Sequence, residues 1–173
     1  MKKIADYGEI FQLAYVVGDL NAALRHWTQV IGAGPFFLRP GIVLAGWQYK
    51  AKVVDINIDV AMGYWSDTQV ELIHQNCQTP SVYLEWQAQR REGIHHFGIL
   101  CSDGVRARQA LSASGFTVEQ EVDGPTGGMF YASGATEGGM FLEFICPTQR
   151  QIEYFDMLKA ARANWDRVTA PVR

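Results

Sequence analysis

The chain has 173 residues, of which 48% are hydrophobic, and it carries a formal net charge of −3. This length allows a single domain with a sizeable buried core, or two small halves that share one core. The slight acidity argues against nucleic acid or an anionic membrane as a partner, and no apolar run is long enough to span a membrane. Three widely spaced cysteines favour reduced thiols and a cytoplasmic protein.

The first half of the chain begins with a strand and a helix. Residues 10–17 form an apolar strand that contains Gln12. Asp19 stands where an N-cap residue accepts hydrogen bonds from the free N–H groups of a helix's first turn. Apolar residues at helical spacing continue to Ile31, and Gly32 suits the left-handed position that ends a helix.

Three further strands are predicted before the middle of the chain. The first of them begins at residues 36–38, and the second covers residues 53–62. Strict alternation in the second strand separates an apolar face from a polar face that includes Asp59. We expect the apolar face to lie on the helices and the polar face to meet solvent or a cleft. The third strand, residues 69–74, carries Glu71.

The second half of the chain repeats the order of the first. Its opening strand begins at His96, and Asp103 follows seven residues later, just as Asp19 follows Gln12. A helical stretch and further strands come next, and the last strand carries Glu143. Internal self-similarity of this kind predicts two copies of one supersecondary unit.

The repeat predicts a single α+β domain. Two βαβββ modules, residues 8–75 and 94–147, are expected to form one curved, mixed or antiparallel sheet that encloses a cleft. A connector over residues 76–93 joins the modules, and residues 148–173 form a C-terminal helix and tail. That helix has an apolar side, which suggests packing against a partner subunit, so we expect a homodimer.

Four polar side chains at matching places on these strands form the candidate site: Gln12, Glu71, His96 and Glu143. Side chains alternate across a strand, so all four project into one concave face if each strand turns its other set toward the helices. A buried carboxylate needs a cation or a shifted pKa. Two carboxylates, an amide oxygen and an imidazole therefore predict one divalent metal ion, and Zn, Ni, Co, Mn, Fe and Mg all suit such a site. His95 is the alternative to His96 as the ligand.

These strings resemble the vicinal oxygen chelate superfamily, which includes glyoxalase I, methylmalonyl-CoA epimerase, extradiol dioxygenases and bleomycin-resistance proteins. The resemblance covers residues 8–147 and rests on the strings FQLAYVVGDLNAALRHW, TQVELIHQ, GIHHFGIL and GGMFLEFICP. It implies the same four metal ligands, a choice that is similar to that of eukaryotic glyoxalase I. The GIHHFG string looks most like the epimerase. The second catalytic carboxylate of the epimerase lies on the strand before the one with Glu71, where Asp59 or Asn57 is the nearest match.

The resemblance implies a metal-dependent isomerase, epimerase or lyase that transfers a proton next to a carbonyl through a metal-stabilised enediolate. Glu143 is the expected base, Glu71 the group that returns the proton, and Asp59 a reserve. The substrate would be a small acyl compound or thioester with an apolar or aromatic body. The alternative is a bleomycin-resistance type of protein, which sequesters an aromatic small molecule in the same cleft without turnover.

Overall fold

The strands of the two predicted modules join edge to edge into one barrel. This arrangement is seen in a computed structural model that describes residues 3–91, 93–125, 127–134 and 139–173. No helix among these residues is both long enough and apolar enough to cross a membrane.

The first half contains four strands and one helix, preceded by a 3₁₀ turn at Ile4–Tyr7: β1 Gly8–Val16, α1 Leu20–Arg25, β2 Phe37–Tyr49, β3 Lys52–Trp65 and β4 Thr68–Gln75. The predicted cap is present, because the Asp19 side chain accepts a hydrogen bond from the backbone N–H of Ala22. A π-helical turn, His26–Ile31, continues α1. Gly32 ends it with a left-handed φ of 77°, as the sequence predicts.

The second half and the segments around it contain the remaining elements: α2 Val82–Ala88, β5 His96–Cys101, α3 Gly104–Ala113, β6 Thr117–Val122, β7 Met129–Ser133, β8 Phe141–Ile145 and α4 Gln149–Ala163. Asp103 caps α3 by accepting a hydrogen bond from the backbone N–H of Arg106. The two halves therefore share the strand, capped helix and three-strand order that the repeat predicts.

The eight strands follow the order β1-β4-β3-β2-β6-β7-β8-β5 around a closed barrel. The β1–β4 and β5–β8 pairs are parallel, and the other pairs are antiparallel. The halves meet where β1 pairs with β5 and again where β2 pairs with β6, through Gln48↔Glu121 and Tyr49↔Gln120. The α+β class and the mixed sheet are confirmed. The sheet goes beyond the predicted curved cleft, because this second seam closes it into a barrel.

The helices α1 and α3 lie on the outside of the barrel, each against its own half. Leu20 and Leu24 of α1 pack with Ala61, and Leu111 of α3 packs with Phe144. The expectation for the alternating strand β3 is wrong in one respect. Its apolar residues, which include Ile56, Ile58 and Val60, face the barrel interior and not these outer helices.

Carboxylates on the polar face of β3 accept hydrogen bonds from backbone N–H groups of β2. The register of β2 shifts at two bulges, and a glycine with positive φ lies in each, Gly41 at 63° and Gly46 at 72°. The carboxylate of Asp59 accepts a hydrogen bond from the N–H of Gly41 at 2.7 Å, and Asp55 accepts one from Gly46 at 3.0 Å. These carboxylates therefore satisfy donors that the bulges leave unpaired.

The C-terminal helix α4 packs on the barrel of its own chain. Tyr154 and Phe155 line the interior cavity, and the rings of Phe155 and Phe11 lie 5.5 Å apart. Beyond α4, the backbone N–H of Phe36 at the start of β2 donates to Pro171 O at 2.8 Å. Ile152 of the same helix is 40% exposed. The helix thus has an intramolecular role, and a homodimer stays a prediction.

Candidate metal centre

Three of the predicted ligands meet inside the barrel. The ligating atoms of Glu71 on β4, His96 on β5 and Glu143 on β8 lie within 4.8 Å of one another. His96 Nε2 is 3.4 Å from Glu71 Oε2 and 3.1 Å from Glu143 Oε2. Strand β1 separates β4 from β5, and its Ala14 is the cross-strand neighbour of both Glu71 and His96. A methyl group at this position leaves room for the longer side chains on either side.

A glycine makes the corresponding space for the fourth predicted ligand. Gly98 on β5 is the cross-strand neighbour of Gln12 on one side and of Glu143 on the other. A Cβ atom at Gly98 would lie only 2.5 Å from Gln12 Oε1. Gly98 therefore leaves the space that the Gln12 side chain occupies. The only indication of this role in the sequence was its position two residues after His96.

The amide of Gln12 is held with its oxygen free. Its Nε2 donates to Gln69 Oε1 at 2.7 Å, and Gln69 Nε2 donates in turn to the hydroxyl of Tyr64 at 3.2 Å. Gln12 is 1% exposed, and its Oε1 has no hydrogen-bond partner among the described residues. A buried amide oxygen without a donor is costly, so this atom is suited to a cation.

The second histidine, His95, orients His96. Nδ1 of His95 lies 2.9 Å from Nδ1 of His96, and His95 Nε2 lies 3.3 Å from the carbonyl oxygen of Val82. Since a carbonyl only accepts, His95 Nε2 carries a proton. Burial and then the charge of His96 hold the pKa of His95 well below its usual range, so its Nδ1 accepts from His96 Nδ1–H. His96 Nε2 thus faces the carboxylates, and the structure brings His96 and not His95 to the cluster.

The charges of the cluster favour a cation. Burial alone would lower the pKa of His96, but the Coulomb attraction and close approach of the carboxylates of Glu143 and Glu71 raise it to about 9. Burial raises the pKa of Glu71, the close approach of His96 lowers it, and the charge of Glu143 raises it again. Among the described residues, no lysine or arginine pairs with either carboxylate. Together with the free Gln12 oxygen, this donor set fits a divalent ion.

The cluster opens into a cavity of about 230 Å³. Its walls are mainly apolar and aromatic, and they include Ile42, Leu44, Trp47, Ile58, Val60, Met62, Ile73, Tyr83, Met129, Tyr131, Ile145 and Phe155. The hydroxyls of Tyr83 on α2 and Tyr131 on β7 lie 2.8 Å apart. The sequence did not single out Tyr131, which is the register partner of Glu143.

Asp59, the reserve catalytic carboxylate, is not brought to this cavity. Its side chain accepts hydrogen bonds from Gly41 N–H and Asn76 Nδ2, both at 2.7 Å, on the outer face of the sheet. Its neighbours along the strand, Ile58 and Val60, are the ones that line the cavity. The alternation of β3 was correctly predicted, but its apolar face, and not its polar face, lines the cavity.

Comparison with known proteins gives the family. A model of the glyoxalase/bleomycin resistance protein/dioxygenase superfamily matches residues 11–132. The chain belongs to this superfamily. The matched segment contains Gln12, Glu71 and His96, whereas Glu143 lies beyond it. No curated protein matches the chain.

Several solved structures share the fold at low sequence identity. Methylmalonyl-CoA epimerase from Mycobacterium tuberculosis is 16% identical, with a TM-score of 0.58 over 88% of this chain and 95% of that one. The hypothetical protein BH1468 from Bacillus halodurans C-125 is 15% identical, with a TM-score of 0.58 over 82% and 96%. A methylmalonyl-CoA epimerase bound to methylmalonyl-CoA and NH4+ is 15% identical, with a TM-score of 0.51 over 80% and 94%. These matches show the fold alone.

Proposed function

We propose that this protein is a metal-dependent isomerase, epimerase or lyase that moves a proton at the carbon next to a carbonyl group. One observation carries the proposal. Two buried carboxylates, Glu71 and Glu143, lie beside His96 Nε2 at the wall of a mainly apolar cavity. Superfamily membership and the epimerases among the structural neighbours support the coarse reaction class.

The residues that would hold the metal are Gln12 through Oε1, His96 through Nε2, and the carboxylates of Glu71 and Glu143. Lewis-acid polarisation of a substrate carbonyl oxygen is the chemistry that a divalent ion supplies when it is bound in such a site. The hydrogen bond from His96 Nδ1–H to His95 fixes the ring and directs Nε2 toward the carboxylates, the usual role of an outer partner of a metal ligand.

Glu143 is the proposed base and Glu71 the proposed proton donor. Both line the cavity, and they approach it from different strands, β8 and β4. Burial raises the pKa of Glu71 in the metal-free cluster, and a carboxylate that leaves the metal as the substrate binds would be free to carry a proton. Removal of a proton by one carboxylate and its return by the other would invert a stereocentre, whereas removal and return by one carboxylate would not. The apolar walls keep competing water away from the carbanion-like carbon.

The cavity volume limits the part of a substrate that enters it. An engineered cavity of roughly 150 Å³ holds benzene, and this one measures about 230 Å³. A single ring or a branched acyl group therefore fits, while a large thioester carrier would stay outside. The proposed substrate is a small acyl compound or thioester with an apolar or aromatic body.

Solvent deuterium exchange tests this proposal. Metal-loaded protein would be incubated in D2O with small 2-oxo acids, 2-hydroxy acids and acyl thioesters, and loss of the α-proton would be followed by NMR. We expect exchange in at least one compound and a decrease of roughly 100-fold or more in Glu143→Gln. Arg106→Gln, on an exposed residue of α3, is the control and should match the wild type. Undiminished exchange in Glu143→Gln would show that Glu143 is not the base.

A metal-independent binding protein is the competing proposal. The aromatic lining that Trp47, Tyr83 and Tyr131 provide is the observation that favours it. Tight binding of an aromatic compound to chelator-treated protein, with no exchange in any compound, would support sequestration over catalysis.

A further inference from the structure

One cationic residue lines the cavity, and strand register places it there. Arg39 on β2 is the cross-strand partner of Val60 on β3, and Val60 pairs in turn with Ile73 on β4. Cross-strand partners share one face of a sheet. Because Val60 and Ile73 both line the cavity, Arg39 lies on the same face and also lines the cavity, while it stays exposed to solvent. It is the only lysine or arginine among the described residues of the cavity wall.

The guanidinium of Arg39 has no anionic partner among the described residues. It forms none of the observed ion pairs, and its guanidinium carbon lies 5.6 Å from the ring centroid of Tyr154 on α4. Surface arginines are often unpaired, so this fact alone carries little weight. The neighbouring residue adds a second observation.

The hydroxyl of Tyr154 is buried and has no hydrogen-bond partner among the described residues. Tyr154 also lines the cavity, and charges of both signs act on it. Burial raises its pKa, the charge of Arg39 lowers it, and the charge of Glu71 raises it. A buried hydroxyl without a partner is costly, which indicates that a polar group belongs beside it.

We propose that Arg39 and Tyr154 form an oxyanion-binding subsite for the end of the substrate remote from the reacting carbon. Guanidinium and phenol donors suit a carboxylate or phosphate oxygen, and the guanidinium can bind two such oxygens at once. This inference rests on the proposed function, in which the cluster of Glu71, His96 and Glu143 holds the reacting end.

The spacing of the two ends fits one small molecule. Arg39 on β2 lies two strands away from Glu71 on β4. Arg39, Val60 and Ile73 form one row of cross-strand neighbours, and this row lies two residues along the strands from the row that contains Met62 and Glu71. Strand spacings of ~4.8 Å and rises of ~3.4 Å per residue place the Cα atoms of Arg39 and Glu71 about 12 Å apart. Both residues line the same cavity, which has room for a single ring, so one small substrate can contact them both.

Paired binding measurements test the subsite. The probes are benzoate, phenyl phosphate and the neutral benzamide, which share one ring and differ in charge. Their dissociation constants would be measured by titration calorimetry with wild type, Arg39→Gln, Arg39→Lys and Tyr154→Phe. Arg106→Gln removes an exposed arginine of α3 and serves as the matched control.

The wild type should bind one of the two anions more tightly than benzamide by about tenfold or more, the contribution of one charge-assisted hydrogen-bonded pair. Arg39→Gln should abolish this preference, Arg39→Lys should keep part of it, and Tyr154→Phe should reduce it. Preference for benzoate would assign a carboxylate and preference for phenyl phosphate a phosphate, and either result supports the subsite. An anion preference that survives in Arg39→Gln would overturn it.

A His96→Ala arm separates this inference from the proposed function. If the anion bound a metal ion at the cluster, its preference would disappear in His96→Ala and persist in Arg39→Gln, and the inference would fail while the metal centre stood. If the protein bound no metal but the Arg39-dependent preference remained, the proposed function would fail and the subsite would stand.

Discussion

Replacement of Gln69 by leucine tests whether a second buried glutamine sets the orientation of Gln12. Gln69 is fully buried, accepts from Gln12 Nε2 at 2.7 Å and donates to Tyr64 at 3.2 Å. Without that acceptor, the Gln12 amide loses the interaction that keeps Nε2 away from the cluster. Its two orientations then become close in energy, and one of them turns the NH₂ group toward the metal site.

Two magnitudes follow from this geometry. Removing an outer partner of a metal ligand typically weakens metal affinity by about 10-fold to 100-fold. The unpaired Gln12 Nε2 also costs about 1–3 kcal/mol of unfolding free energy, part of which the buried leucine offsets. We therefore expect Gln69→Leu to fold with reduced stability and to bind metal at least about tenfold more weakly.

Chelator competition and urea denaturation measure the two quantities. Gln69→Glu keeps an acceptor for Gln12 Nε2 and should retain more metal affinity than Gln69→Leu. Gln75→Leu is the matched control, because Gln75 is a buried glutamine of the same strand that binds Thr79 O and Ser81 Oγ instead of a ligand. It should lower stability without changing metal affinity. Equal losses of affinity in Gln69→Leu and Gln75→Leu would refute the orienting role.

Three further predictions concern the cluster. Because the pKa of His96 is raised to about 9, a proton competes with the metal for this imidazole at neutral pH. The apparent metal affinity measured by chelator competition should therefore rise about 50-fold from pH 7 to pH 9. A metal affinity that does not change with pH would contradict His96 as a ligand. Gly98→Ala places a Cβ atom 2.8 Å from Gln12 Cβ. The substitution should lower the free energy of unfolding, measured in denaturant, by about 1–3 kcal/mol and weaken metal binding. An unchanged stability and metal affinity would show that Gln12 does not need the space beside Gly98. Glu71→Gln removes one of the charges that raise the pKa of His96. An NMR titration of the His96 imidazole in metal-free protein should therefore give a lower pKa than in wild type. An equal or higher pKa would contradict the described electrostatics.

The four proposed ligands could be grouped from the sequence because alternation and repeat act together. Period-two alternation fixes which side chains share a face, and the repeat identifies equivalent strands, so Gln12, Glu71, His96 and Glu143 could be grouped before any fold was known. The caps at Asp19 and Asp103 were equally local, since each depends on hydrogen bonds within one helical turn.

The misassignments concern interactions between distant parts of the chain. The alternation in β3 identifies two faces but does not show which face lies inside the barrel. Asp59 was therefore considered for the site, although its carboxylate accepts a hydrogen bond from the bulge residue Gly41. Most of β2 was missed because its bulges interrupt the alternation. Barrel closure depends on Gln48↔Glu121 and its neighbouring pair, which no local pattern indicates.

The support around the ligands was also hidden in the sequence. Gln69 could not be identified from the sequence as the partner of Gln12, because a hydrogen bond to a strand 57 residues earlier has no local signature. Likewise, the apolar side of α4 suggested a partner subunit, whereas Tyr154 and Phe155 cover the chain's own cavity. An amphipathic pattern shows that a face is covered and does not show what covers it.

Metal content is the most direct test of the central claim that Gln12, Glu71, His96 and Glu143 form a metal centre. Untagged wild type, His96→Ala and the exposed-residue control His26→Ala would be reconstituted with divalent ions, passed through a desalting column and measured by mass spectrometry. The account predicts about one ion per chain in wild type and in His26→Ala, and loss of that ion in His96→Ala. No bound ion in wild type after reconstitution, or an equal content in His96→Ala, would contradict it.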